Sequence, residues 1–244
     1  MATPNIQRTI PQPLYCNHDH FWMALNTYYQ HTGHQEILAK WTEEEFDSNV
    51  VKVLSEQFGD KLTDQPLRVL GVGSSEGNLE TLQLQKLKTK FSRISATVIE
   101  PSTEQISKYQ EMVHQKSSNI TGIEYSWYNQ TFQEFVTSME AGQKYHFITI
   151  VHAIYYTGKV EETVQTFYEL LEPGGMILMI ITAGRHRYAI AVEDIPSASG
   201  GRAEGIPQFY HIHRCEICSQ QVPDGLYSIF LYSISRCNHL FHTR

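Results

Sequence analysis

Short apolar runs alternate with amphipathic stretches from residue 67 to residue 182, a glycine-rich turn follows the first run, and an acid closes the second. These observations predict an α/β fold, an open, mostly parallel sheet with helices on both faces. Leu67-Arg-Val-Leu-Gly-Val72 reads as a buried strand and Gly73-Ser-Ser-Glu-Gly77 as the tight turn after it. Asn78–Phe91 carries leucines 79, 82, 84 and 87 and reads as a helix. Ala96–Glu100 is a second strand, closed by Pro101, and Ser102–Lys116 a helix with Ser102 as its cap. Gly122–Trp127 and Tyr145–His152 supply further strands. Glu161–Leu171 is helical and stops at Pro173-Gly174-Gly175, after which Met176–Thr182 forms a final buried strand. Strands covered on both faces need not alternate in polarity.

Upstream, residues 1–13 are polar with three prolines and form a lead-in. From Leu14 to about Phe58 the pattern is helical, with Leu25, Tyr28, Tyr29 and Thr32 at three- and four-residue steps. A second helix fits Thr42–Phe58, because Thr42 and Glu45 have capping-box spacing. Phe46, Val50, Val53, Leu54 and Phe58 are its expected buried stripe.

The 244 residues are 41% hydrophobic and 18% charged, which suits a globular chain with a real core. A net charge of -7 repels phosphate backbones, so no nucleic-acid partner is expected. The longest apolar runs, such as Met176–Ile181, fall far short of the ~20 residues that cross a bilayer. No secretory signal opens the chain. Cys16 is isolated and Cys215, Cys218 and Cys237 crowd the C-terminus, which is no disulfide framework. A cytoplasmic monomer without membrane contact is expected.

The first strand ends in Gly71-x-Gly73-x-x-x-Gly77, and glycines at such a turn let backbone approach a ligand above the strand ends. Glu100 closes the next strand, where a carboxylate accepts hydrogen bonds from ribose hydroxyls. This Rossmann-like layout admits several nucleotides. NAD and FAD favour a glycine after two residues, whereas Ser74-Ser75-Glu76 intervene here and Glu76 puts negative charge where a pyrophosphate would lie. No Gly-Lys-Ser/Thr follows, which excludes a P-loop. S-adenosyl-L-methionine, with no phosphate and a cationic sulfur, fits best.

Leu170-Leu-Glu-Pro-Gly-Gly175 resembles the turn before the fifth strand of class I methyltransferases. The run Val98-Ile-Glu-Pro-Ser-Thr-Glu-Gln105-Ile-Ser-Lys-Tyr109 narrows the resemblance, together with Ser126-Trp127, Ala153-Ile-Tyr155-Tyr156 and His31-Thr-Gly-His-Gln35. Over about residues 14–183 the chain resembles the histamine N-methyltransferase family. The resemblance implies an S-adenosylmethionine-dependent N-methyltransferase acting on a small amine or imidazole. It puts Gly73 against the methionine portion of the cofactor, Glu100 on the ribose and Gln105 on the adenosine side. Thr131 and Phe132 would flank the adenine, although the family has a small hydroxyl residue in place of Phe132. Val151 would line the cofactor pocket. His152, where the family has a glutamine, would lie by the substrate amine, and Tyr155 and Tyr156 would wall the substrate. The family's imidazole-binding glutamate corresponds to Gly33, which has no acceptor to offer.

The resemblance divides the chain into a methyltransferase domain, 1–183, and a divergent tail, 184–244. The domain comprises a helical N-terminal part, 1–60, and a cofactor-binding core, 61–183. Cys215-x-x-Cys218 and Cys237-x-His239-x-x-His242 look like the first half of a RING-H2 zinc module. Five ligands are too few for such a module, so no metal site is assigned. A non-catalytic cofactor-binding or interaction protein with a partial zinc-binding tail is the alternative reading. Tyr227–Ser235 fits a strand at the sheet edge.

Overall fold

The computed structural model describes residues 23–25, 27, 31, 33–116, 121–182, 210–214 and 227–236, the last two segments by their backbone path. The chain forms two compact units, Met1–Trp41 and Thr42–Arg244. In the first, Gly33 takes φ +57 and its carbonyl accepts the Ile37 N–H at 3.0 Å, opening helix α1, His34–Glu44. Tyr28, Tyr29 and Thr32 of the expected first helix lie outside the described residues.

Thr42 is not a cap. It lies inside α1 and is fully buried, so the helix runs through the expected start of the second. The break comes one turn later. There the Glu45 carbonyl gathers the Asn49 N–H at 3.1 Å, the Asn49 side chain at 2.8 Å and the Ser48 hydroxyl at 3.0 Å. A π-helical turn, Asp47–Val51, follows and leads into α2, Lys52–Phe58. The wide turn inserts an extra residue and rotates the face. Phe46, Val50, Leu54 and Phe58 are buried as expected, but Val51 joins them and Val53 is only half-buried.

The sheet is built from β1 (Leu67–Val72), β2 (Ile94–Ile99), β3 (Ile123–Tyr128), β4 (Tyr145–Val151) and β5 (Leu171–Thr182), all parallel. Two further strands, β6 (Tyr210–Arg214) and β7 (Tyr227–Arg236), complete the order β3-β2-β1-β4-β5-β7-β6. β7 runs antiparallel to both neighbours, with Leu178 opposite Leu231. The strand expected at Tyr227–Ser235 is therefore present, but inside the sheet, with β6 as the outer strand. Cys215, Cys218, Cys237, His239 and His242 lie outside the described residues.

The connecting helices are α3 (Asn78–Lys88), α4 (Thr103–Gln115), α5 (Phe132–Ser138) and α6 (Val160–Leu170). Ser102 caps α4 as expected, its hydroxyl accepting the Gln105 N–H at 3.4 Å. Helix α5 was not expected. Its start is a full capping box, in which Thr131 Oγ1 accepts the Glu134 N–H and Glu134 Oε2 accepts the Thr131 N–H at 2.8 Å. Gly174, at φ +89, lies inside β5 in the stretch where the register with β4 shifts between the partners Tyr145 and Phe147.

The core lies along β1, β4 and β5. Leu70, Ile148, Ile150 and Phe167 are completely buried. Each such side chain contributes about 1.5–3 kcal/mol through burial. At the N-terminal end of the sheet Arg68 ties three segments together. Its guanidinium donates to the Lys144 carbonyl and the Glu172 carboxylate at 2.7 Å each, and its backbone N–H donates to His146 Nδ1 at 2.9 Å.

Candidate cofactor and active site

In the order 3-2-1-4-5 the chain reverses direction between β1 and β4, and a crevice forms outside the carboxyl ends of strands at such a switch point. The loops that leave β1 and β4 carry both described non-glycine residues with positive φ, Ser75 at +51 and His152 at +52. Backbone held in this region costs roughly 1–3 kcal/mol per residue and concentrates where ligands bind. Neither residue announces its φ in the sequence.

The glycine turn is pinned to β2. Gly73 N–H donates to the Ile99 carbonyl at 2.8 Å, and Ser75 N–H donates to Glu100 Oε2 at 2.8 Å. The other carboxylate oxygen accepts Ser102 N–H at 2.9 Å. Asn129, beyond β3, donates its amide to the Glu100 carbonyl at 2.9 Å. Glu100 is 5% exposed, and burial pushes its carboxyl up while the Ser102 and Ser75 N–H groups pull it down. A carboxylate has about four acceptor sites. Two are taken here, so Glu100 retains capacity for hydroxyl donors.

Each glycine of the turn has a distinct reason. A Cβ on Gly71 would overlap the Glu80 carboxylate, one on Gly73 would strike Ala153 Cβ, and one on Gly77 would enter the Tyr109 ring. Gly73 and Gly77 also take φ +66 and +72. The turn is thus packed from below by Glu80 and Tyr109 and from the side by Ala153, leaving a fixed bend at the sheet's carboxyl edge. Gln105 is buried on the first turn of α4, and its side-chain oxygen accepts the Ser75 hydroxyl at 3.4 Å. Gly71, Gly73, Gly77, Glu100 and Gln105, spread over 35 positions of sequence, therefore meet in one place. Glu76 points away, pairing with Lys108 at 3.1 Å, so its charge is partly compensated and the glycine spacing is the stronger reason against a pyrophosphate.

Thr131 and Phe132 open helix α5. The Thr131 hydroxyl is engaged in the α5 capping box, and the Phe132 ring is 6% exposed in the core, 5.0 Å from Phe167.

Val151, the last residue of β4, is half-buried. His152 follows and its N–H donates to the Ile180 carbonyl at 2.9 Å, fixing the turn. Tyr155 and Tyr156 sit on a 3₁₀ turn, Ile154–Tyr156, with rings 6.3 Å apart and nearly perpendicular. Tyr155 packs partly against the core, whereas Tyr156 is 52% exposed. Gly33 belongs to the other unit.

Sequence reasoning missed Ser75, Glu80 and Asn129. Only Glu80 left a signal: an acid among leucines, three residues after the turn glycine, on a helix face that packs inward. Burial pushes its carboxyl up to about 7.

A family model for the methyltransferase domain matches residues 38–217. The chain belongs to this methyltransferase family. The match covers the whole parallel sheet and extends past residue 183 through β6. Among curated proteins the chain is similar to histamine N-methyltransferase of Cavia porcellus, 26% identical over 177 residues, which cover 70% of this chain and 58% of that one. It is also similar to histamine N-methyltransferase B of Xenopus laevis, 34% identical over 132 residues, 52% of this chain and 45% of that one. The chain thus spans about half the length of the curated relatives it matches. Among solved structures, the plantazolicin methyltransferase BpumL in complex with triazolic desmethylPZN analog and SAH superposes with a TM-score of 0.46 at 13% identity, covering 69% of this chain and 55% of that one. The strand order, rather than that loose superposition, defines the Rossmann-like class I methyltransferase fold. Among the described residues no helix is long and apolar enough to cross a membrane, and no group of three or more His, Cys, Asp or Glu is placed to hold a metal ion.

Proposed function

We propose that this chain is an S-adenosylmethionine-dependent N-methyltransferase whose acceptor is a small, histamine-like amine. One observation carries the reading: the Gly71–Gly77 bend and the Glu100 carboxylate are bonded to each other at the switch point of a methyltransferase sheet. Residue roles follow from that placement. Glu100 accepts the ribose hydroxyls with its remaining lone pairs. Gly73 leaves room for the methionine portion, Gln105 lies on the adenosine side, and Val151 borders the pocket at the end of β4. The backbone at Thr131 and Phe132 borders the adenine side, since the Phe132 ring is committed to the core.

S-adenosylmethionine supplies a methyl group on a sulfonium whose departing thioether is neutral, so the reaction calls for neither a metal nor a strong acid. A neutral amine lone pair forms the N–C bond as the S–C bond breaks, and one proton leaves the nitrogen. The protein's part is alignment and exclusion of water. His152, on the turn after β4, hydrogen-bonds the amine or takes its proton. The Tyr155 and Tyr156 rings stabilise the cationic nitrogen as charge develops. Histamine N-methyltransferases are the relatives that suggest the acceptor class, a small amine or imidazole.

The test is turnover. The purified chain, supplied with S-adenosylmethionine and a panel of amines including histamine, is expected to methylate at least one of them, and Tyr156→Ala to reduce that rate. Cofactor binding with no methylation of any amine in the panel would contradict the acceptor class.

A further inference from the structure

Glu80 is an acid in an unusual position. It is carried on α3 beneath the glycine turn, is 6% exposed, and lies so close to Gly71 that a Cβ there would overlap it. Oε2 accepts the Ser74 hydroxyl at 2.5 Å and Oε1 accepts the Tyr109 hydroxyl at 3.3 Å. The titratable groups acting on it are Tyr109 from α4, Tyr125 from β3 and Glu100 at the end of β2. None of these brings a positive charge. Burial pushes the Glu80 carboxyl up to about 7, the two hydroxyls pull it down, and Glu100 adds a smaller upward push. Burying an acid with no cation among these neighbours costs stability, which makes Glu80 a candidate functional group.

We propose, resting on the reading that this site takes S-adenosylmethionine, that Glu80 sets the site's preference for the sulfonium substrate over the neutral thioether product, its carboxylate ionising against the Gly71–Ser74 backbone when a cation occupies the bend. Charges interact strongly across a thin, poorly solvated layer of backbone. One proton leaves Glu80 for solvent as the cation binds and returns when the uncharged sulfur of S-adenosylhomocysteine replaces it. The site thereby loses grip on its product in the step that makes it. The glycine at position 71 follows from the same arrangement, because any side chain there would displace the carboxylate.

Calorimetric titration of the full chain with S-adenosylmethionine and with S-adenosylhomocysteine, between pH 5.5 and 7.5, tests this. Wild type is expected to bind S-adenosylmethionine more tightly as pH rises, by at most about tenfold per unit, with proton release visible as a dependence of the heat on buffer. The product should show little pH dependence. Glu80→Gln should bind the product within roughly threefold of wild type and lose the extra pH dependence for the substrate. Titration of the ligand's own amine is common to both proteins and cancels. Tyr109→Phe, which keeps the carboxylate but removes a hydroxyl that lowers its pKa, should move the steep part of the wild-type curve to higher pH, and decides the matter if Glu80→Gln does not fold. An unchanged substrate slope in Glu80→Gln, or an unmoved curve in Tyr109→Phe, overturns the role of Glu80 while leaving the cofactor reading intact. Failure of wild type to bind either ligand overturns both.

Discussion

Ser75 N–H donates to the Glu100 carboxylate at 2.8 Å, joining the turn after β1 to the end of β2. Ser75 makes that bond with a left-handed φ of +51, a conformation that glycine adopts without strain. Ser75→Gly should therefore keep the bond and change stability by less than ~1 kcal/mol. Ser75→Val, with a β-branched side chain at the same φ, should destabilise by about 2 kcal/mol. Urea denaturation midpoints of the two variants check the contrast.

Gly73 and Gly142 both have positive φ, +66 and +84, but differ in surroundings. A Cβ on Gly73 meets Ala153, and one on Gly142 meets nothing within 4 Å. Gly142→Ala should cost only the backbone term of about 1–2 kcal/mol. Gly73→Ala should cost ~1–3 kcal/mol more, through overpacking, and should also weaken S-adenosylhomocysteine binding. Thermal melts with and without that ligand separate the two effects.

The Phe132 ring lies in the core against Phe167. Phe132→Ala should lower stability by about 3–5 kcal/mol, as a large cavity does. Phe132→Leu should cost far less and leave affinity for S-adenosylhomocysteine near that of wild type, since the ring packs into the core. A large affinity loss in Phe132→Leu would place the ring on the ligand instead.

His146 is buried, accepts the Arg68 N–H, and its pKa is lowered to about 4 by burial, with the Arg68 charge adding to the effect. The unfolded chain takes up a proton near pH 6.5 and the folded chain only near 4. Its contribution is therefore complete above about pH 6.5 and is lost as pH falls from there to about 4, amounting to ~3 kcal/mol over that whole range. His146→Asn retains an acceptor for the Arg68 N–H without the titration. The urea midpoint of this variant should fall less than that of wild type between pH 7 and pH 5.

Sequence patterning made the parallel core legible because strand burial, glycine turns and helix caps are local signals. Leu67–Val72 and the Ser102 cap are placed where the pattern puts them. The misplaced elements have non-local causes. Thr42 has the composition of a cap, yet the helix through it continues and the face turns later, at the π-helical Asp47–Val51. Helix α5 is short, with two buried phenylalanines and too little periodicity to detect. The sequence identified Glu100 and the glycines as a group, since their types are diagnostic in order. It could not identify Ser75 or Glu80, whose importance lies in a backbone angle and in a contact made across the turn.

The proposed function requires the Gly71–Gly77 bend and Glu100 to hold the nucleoside of the methyl donor together. Calorimetric titration of wild type and Glu100→Ala with S-adenosylhomocysteine tests it most directly. One saturable site is expected in wild type, weakened in the variant by about 1–3 kcal/mol, the cost of leaving buried hydrogen-bond partners without their acceptor. Equal affinity in the two proteins, both folded, would contradict it.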